Sequence, residues 1–493
     1  MDRETLALRR HLLPTGITGL DTILGGGFRE ASLNLIAGRP GTGKTTLAHQ
    51  LMFALTRPGR TALYLTALGE PPAKMLRHQE QYSFFRPEEL HRSIHFLNLA
   101  SVGGSNDTEL MLQKIQEAVE EHKPSLVFID SFRSLFAALH RGQAGAAGLP
   151  AFLHQMALLM RGWQATTFLV AEYLDPDRED PLFTVADGIL WLHNQAEGND
   201  GSRKLEVVKL RGQETLPGLH TFRIGREGLR VFAPWVNPLA NRVPPTGRAE
   251  TGIQGLDGML GGGIPRGTSF LVAGPSGSGK TIFADAFLLA GAKAGENSVI
   301  AVFEQRPPRL RCPALEKLIH DGRVSMVETG STCLEVDEIA QLIVLEVDRM
   351  NATRVVIDSL SGLEMLLSTT GRARFRPSLA RLLEAMASLG VTVVMTAEIE
   401  DRHSFLPLSP ERTAFLADGI LLQRYVEVGS RLLRLLVVAK LRGSWHSNEL
   451  RQYHIDDDGL QLEEALGSYE GLLGGRPSQR SHALSVVTDS KAQ

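Results

Sequence analysis

Cysteine is nearly absent from this chain: of 493 residues only Cys312 and Cys333 carry a thiol, and neither sits in a Cys-x-x-Cys pair or beside a histidine pattern. A disulfide framework and a zinc site are thereby excluded, and both thiols are expected as small core residues. Apolar residues never run together for the roughly 18 positions that a membrane span needs. The opening stretch from Met1 to Arg10 has no apolar signal core, so a soluble, cytoplasmic protein without membrane attachment is expected. An excess of one charge is missing too, with 52 Lys and Arg against 55 Asp and Glu and a net charge of -3. That balance leaves no basic coat for nucleic acid, although a local basic pore is still allowed. What remains is globular material, 43% hydrophobic and 22% charged, too long for one core and sufficient for two.

Two stretches carry the chemistry. Gly274-Pro-Ser276-Gly277-Ser278-Gly279-Lys280-Thr281 follows the apolar run Ser269 to Ala273, and Gly38-Arg-Pro-Gly41-Thr42-Gly43-Lys44-Thr45-Thr46 follows Leu33 to Ala37. Strand, glycine-rich loop and helix in that order make a phosphate loop: backbone N–H groups turn inward on a polyphosphate, the lysine reaches its outer phosphates, and Thr45 or Thr281 ligates Mg2+. The lysines stand 280 − 44 = 236 residues apart, and the same offset relates Thr15-Gly-Ile-Thr-Gly-Leu-Asp21 to Thr251-Gly-Ile-Gln-Gly-Leu-Asp257. One fold is therefore expected twice, as an α/β chain of two tandem domains, each a mostly parallel sheet flanked by helices. The boundary falls near the proline-rich stretch ending at Pro245, giving domains 1–245 and 246–470 and a polar, mobile tail 471–493.

Further along each repeat, the runs Leu126 to Asp130 and Val355 to Asp358 read as buried strands ending in an acid that holds Mg2+. An aspartate in that place caps a following helix just as well, and the residues alone leave both readings open. The second strands end at Leu68-Gly69-Glu70 and Glu304-Gln305, making Glu304 the matched candidate for a base on the attacking water and Glu70 an imperfect one. Later strands end at Glu172 and Glu398, possible sensors of nucleotide. Each repeat closes with Ala-Asp-Gly-Ile-Leu and a hairpin whose returning strand carries Lys209 and Arg211, or Lys440 and Arg442, two apart and so on one face. A solvated strand face explains that spacing equally well.

Together these motifs resemble the RecA-like ATPases and, within them, the KaiC family of tandem-repeat circadian clock ATPases. The stretch from Leu421 to Val428 and on through Lys440-Leu-Arg442-Gly-Ser-Trp-His446 carries the likeness most specifically. The resemblance implies two RecA-like P-loop NTPase domains, ATP and Mg2+ at each, a homo-hexameric ring with ATP between neighbouring chains, and the Lys-x-Arg pairs reaching it from the adjacent chain. It also implies regulatory or signalling proteins as partners and Ser/Thr autokinase activity. Two departures limit the transfer: the family's adjacent glutamates become Leu68-Gly69 and Glu304-Gln305, and its Ser-Thr phosphosite becomes Ala414-Phe415, beside Thr413. Turnover is thus expected mainly in the second domain, and autophosphorylation at the usual site is expected to be weak or absent. The rival readings are a DNA recombination or helicase-type motor and a nucleotide-gated scaffold. The acidic Asp175 to Asp180 loop argues against nucleic acid, while Gly371 to Arg376 is basic with one aromatic.

Overall fold

The computed structural model describes residues 12–66, 72–99, 108–132, 155–156, 159–160, 162–174, 181–197, 200–233, 246–303, 312–328, 336–367, 369–399, 415–428, 431–465, 469–470 and 478–479. The chain divides into two compact units, Met1–Pro234 and Trp235–Gln493.

The first unit is built on a 9-stranded sheet. Its strands are β1 (Leu33–Gly38), β2 (Ala62–Thr66), β3 (Ile94–Asn98), β4 (Leu126–Asp130), β5 (Thr166–Glu172), β6 (Gly188–Glu197), β7 (Asp200–Leu210), β8 (Leu219–Gly225) and β9 (Gly228–Phe232). Their spatial order is β9-β8-β7-β6-β1-β5-β4-β2-β3. From β6 to β3 neighbouring strands run parallel, and β7, β8 and β9 extend the sheet antiparallel. The second unit has β10 (Ser269–Gly274), β11 (Ser298–Val302), β12 (Val324–Glu328), β13 (Arg354–Asp358), β14 (Thr392–Glu398), β15 (Gly419–Val428), β16 (Arg431–Leu441), β17 (Arg451–Asp456) and β18 (Gly459–Ala465). Read from the same edge, its order is the first unit's strand for strand, so the expected duplication and α/β class hold.

The central parallel strands are largely apolar because both of their faces are covered. Alternate residues enter separate cores: Ile36, Tyr64, Phe128 and Val170 one, Leu35, Leu63, Ile129 and Leu169 the other. In the second unit Val272, Ile300 and Val356 face away from Leu271, Val299 and Ile357 in the same way. Each buried side chain of this size contributes about 1.5–3 kcal/mol over leaving it in water. Helices α1 (Lys44–Leu55) and α2 (Lys280–Lys293) follow the glycine loops directly.

At the foot of each sheet, the amino ends of the parallel strands, stands an ion pair whose signs are reversed between repeats. Glu30 pairs with Arg60 at 3.3 Å, whereas the matching residues are Arg266 and Glu296. Glu296 also accepts from the Nε of Arg354 at 2.6 Å, and Arg354 is 1% exposed, with its guanidinium over the Phe287 ring.

Several expectations need correction. Cys312 is half-buried at the start of the helix Pro313–His320, and Cys333 lies outside the described residues. Residues 371–376 are not a loop: they lie within the helix Thr369–Ser388, and Phe375 is buried in the core, so no exposed aromatic is offered there for a base to stack on. The segment Asp175 to Asp180 lies outside the described residues. Tyr469–Glu470, just before the tail, pairs with Ser478–Gln479 inside it.

Candidate functional site

After β1 the chain doubles back at Gly41 and Gly43, with φ of 74° and 103°, and after β10 at Gly277 and Gly279, with 75° and 96°. The left-handed backbone at Gly43 and Gly279 disfavours a side chain, and a Cβ at either would displace the movable end of an isoleucine, Ile224 Cδ1 at 2.5 Å and Ile455 Cδ1 at 2.7 Å. Both glycines are the N-caps of α1 and α2, and no side chain caps either helix. The first-turn N–H groups and the positive end of the helix dipole are left to face an anion.

The loop lysines are held by carbonyls. Lys44 Nζ donates to Arg39 O at 2.8 Å and lies 3.8 Å from the Glu172 carboxylate. Lys280 Nζ donates to Gly274 O at 2.9 Å and to Pro275 O at 2.7 Å. Burial lowers the pKa of Lys44, opposed by the charges of Glu172 and Asp130.

Thr45 Oγ1 donates to Asp130 Oδ2 at 2.8 Å, and the Tyr64 hydroxyl donates to the same oxygen at 2.9 Å. Burial raises the pKa of Asp130 above the usual carboxylate range, against the lowering effect of those two hydrogen bonds and of Lys44. In the second unit Asp358 accepts from Thr396 Oγ1 at 2.5 Å. The alternative of helix capping goes to its neighbour there: Ser359 is the N-cap of Leu360–Leu366 and accepts from Gly362 N at 3.0 Å. The peptide bond after each aspartate is cis.

In the first unit these groups line a cavity of about 510 Å³, together with Tyr82 and Arg203, a size that suits a small ligand. Thr45 and Asp130 present hard oxygen donors, and among the described residues no group of three or more His, Cys, Asp or Glu forms a protein-only cage. One hydroxyl and one carboxylate beside a phosphate cradle fit Mg2+, which keeps waters and phosphate oxygens in its remaining positions.

The Lys-x-Arg pairs lie elsewhere. Lys209 Nζ donates to Phe183 O and Thr184 O at 2.9 and 3.2 Å, and Arg211 donates to Thr184 O at 3.0 Å and approaches Asp187 at 3.4 Å. Lys440 donates to Ala417 O at 2.5 Å, and Arg442 donates to Phe415 O at 3.3 Å and approaches Asp418 at 3.5 Å. Asp187 and Asp418 also accept from Leu33 N and Ser269 N, at 3.1 and 3.0 Å, pinning each pair to the foot of the central strand. The pairs do not stand at a sheet edge, because two further antiparallel strands lie outside β7 and β16. The pairs are remote from their own loops for another reason: they occupy the opposite end of the sheet.

Glu70 and Glu304 lie outside the described residues, as do Thr413 and Ala414; Phe415 is 58% exposed. Sequence reasoning assigned no role to Tyr64, Thr396, Asp187, Asp418 or Arg203. The repeated Ala-Asp-Gly-Ile-Leu signalled the two aspartates; nothing in the sequence signalled Tyr64.

Against known families, the model of the ATPase KaiC matches residues 13–235 and again 249–466. The chain belongs to the KaiC ATPase family. Membership makes the two sheets tandem RecA-like domains and the glycine loops those of a nucleotide-binding ATPase family. Among curated relatives it is similar to the circadian clock oscillator protein KaiC 1 of a Synechocystis species, 27% identical over 484 residues, covering 95% of this chain and 92% of that protein. The circadian clock oscillator protein KaiC of Parathermosynechococcus lividus is 27% identical over 484 residues, with 94% and 88% covered. That of Prochlorococcus marinus is 26% identical over 479 residues, with 94% and 95% covered. No helix of this KaiC-family chain, among the described residues, is long and apolar enough to cross a membrane.

Proposed function

We propose that this chain is an ATPase that binds ATP with Mg2+ in both domains, 1–245 and 246–470, and turns it over mainly in the second. The observation that carries the reading is the Thr45 to Asp130 hydrogen bond of 2.8 Å beside a glycine cradle. Gly38, Gly41, Thr42, Gly43, Thr46 and their counterparts Gly274, Ser276, Gly277, Ser278 and Gly279 wrap the phosphates, and Lys44 or Lys280 moves onto the outer ones. Thr45 with Asp130, and Thr281 with Asp358, hold Mg2+, which screens the charge of the phosphates. Glu304, following Phe303, whose N–H donates to Asp358 O at 3.0 Å, takes a proton from the attacking water; Glu70 is the weaker counterpart. Lys209, Arg211, Lys440 and Arg442 meet the phosphates of a neighbouring chain, which makes the active form a homo-hexameric ring in the cytoplasm. Nucleotide state then sets the ring's hold on regulatory or signalling proteins in timing or another switch, with the tail 471–493 as one contact.

The test is ATP binding and hydrolysis by the full chain with Lys44→Ala, Lys280→Ala and Glu304→Gln. Glu304→Gln keeps ATP bound and loses roughly 10²- to 10⁴-fold in turnover, the usual worth of a general base. Normal turnover in Glu304→Gln, with loss in Glu70→Gln, overturns the assignment to the second domain.

A further inference from the structure

In both units the aspartate at the head of the Mg2+-side strand is gripped by a buried neutral hydroxyl, but the hydroxyl comes from opposite neighbours. Tyr64 on β2 serves Asp130 at 2.9 Å, whereas Thr396 on β14 serves Asp358 at 2.5 Å. Strand register shows what each neighbour offers: on β2 the residue level with Asp130 is Thr66, and Tyr64 stands two below it. Tyr64 aligns with Phe128, two residues below Asp130 and on its face of the sheet, and the long phenol spans that distance. The corresponding residue of β11 is Ile300, aligned with Val356, which has no hydroxyl to offer. On the other side Asp130 aligns with Val170, equally mute, while the position after the aligned pair Ile357 and Met395 brings Thr396 to Asp358.

Tyr64 is held rather than incidental. Its ring is fully buried, with the rings of His49, Phe96 and Phe128 at 4.8, 5.4 and 6.1 Å. The ring cannot turn away, so its hydroxyl is aimed at a carboxylate that is itself 2% exposed. The oxygen it reaches, Oδ2, is the one that takes the Thr45 hydroxyl.

We infer that Tyr64 is a positioning residue of the first nucleotide site. Its phenol fixes the rotation of the Asp130 carboxylate, so that one oxygen engages Thr45 and the group faces the Mg2+ side of the nucleotide. Thr396 does the same for Asp358, giving the two repeats separate solutions to one requirement. The inference rests on the reading of the first loop as an ATP–Mg2+ site.

The test uses the full chain carrying Lys280→Ala, which silences the second loop, and a fluorescent non-hydrolysable ATP analogue titrated with Mn2+. In Tyr64→Phe the Mn2+ midpoint rises roughly 10- to 100-fold, the usual cost of losing an outer-shell partner of a metal ligand. Binding of the analogue in EDTA stays unchanged, which a general packing defect would not allow. Adding Val170→Thr transplants the second unit's solution and restores most of the midpoint. An unchanged midpoint in Tyr64→Phe, or equal weakening with and without metal, overturns the inference. Should Tyr64→Phe not fold, the doubly substituted chain decides: a parental midpoint supports the exchange of roles, and a raised one overturns it. A parent that binds the analogue without any Mn2+ dependence fails earlier and separately, by removing the ATP–Mg2+ reading itself.

Discussion

Arg442→Ala tests the reading at its most exposed step, the sharing of a site between chains. Leu441 aligns with Gly419, and Gly419 with Phe270, so Arg442 stands level with Ser269 at the foot of β10. Gly274 closes the same strand, and at the rise of a β-strand the separation is roughly 16 Å, beyond the reach of any side chain. Arg442 cannot serve its own loop, and the proposed ring brings a neighbour's loop to it. An arginine acting in trans on a phosphoryl group is worth about 10³- to 10⁵-fold in rate, or ~4–7 kcal/mol of barrier. The portion of turnover that Lys280→Ala removes should therefore fall by that factor in Arg442→Ala, while the chain stays folded. Equal mixing of the two variants before assembly decides the geometry. In a ring of randomly placed chains about a quarter of the boundaries join an intact loop to an intact arginine, so second-domain turnover returns to about that fraction of the parent's. Steady-state phosphate release, with light scattering to follow assembly, reads both quantities. Full activity of Arg442→Ala, or a mixture no better than the mean of its components, refutes the argument.

Gly43→Ala sets a Cβ 2.5 Å from Ile224 Cδ1 at a φ of 103°, which costs about 1–3 kcal/mol in strain and overpacking. Nucleotide binding at the first loop should weaken, Ile224→Ala should relieve only the packing share, and calorimetric titration in a Lys280→Ala background reads both. His49 is fully buried, and burial lowers its pKa to about 4, with the neighbouring Gln79 side chain acting the other way. The folded chain keeps it neutral while the unfolded chain protonates it below about pH 6.5, so its contribution is complete above that pH and falls away toward pH 4 by about 3 kcal/mol. His49→Leu should flatten the drop in melting temperature of the first domain over that window, and an undiminished drop counts against the assignment. Radiolabelled ATP followed by peptide mapping should leave residues 413–415 unlabelled, since neither Ala414 nor Phe415 can accept phosphate; stoichiometric label on Thr413 would restore the kinase reading.

The duplication, the nucleotide loops and the strand cores were legible because each is local: glycines at fixed spacing, an apolar run, a repeat offset. For Asp130 and Asp358 the residues left two readings open, and in the second unit the helix cap is made by Ser359 instead of the aspartate. What stayed hidden depends on register between strands distant in sequence. Tyr64 is indistinguishable from any core aromatic of β2 until β4 is laid beside it. The Lys-x-Arg pairs were read correctly as sharing a face, yet their level on the sheet follows from antiparallel pairing of β7 on β6 and of β16 on β15. The helix containing Phe375 overrode a glycine that suggested a loop.

The reversed ion pairs at the feet of the sheets bear on how two copies of one fold are made from a single chain. Near-equivalent repeats risk exchanging segments during folding, the opening stretch of one docking on the sheet of the other. Such an exchange would set Arg266 against Arg60 and Glu30 against Glu296, like charge on like. It would also leave the buried guanidinium of Arg354 facing a carboxylate already crowded by a second one. Each segment thus carries its own charge sign at this point, so a wrong partner would meet like charge where the right one meets its opposite.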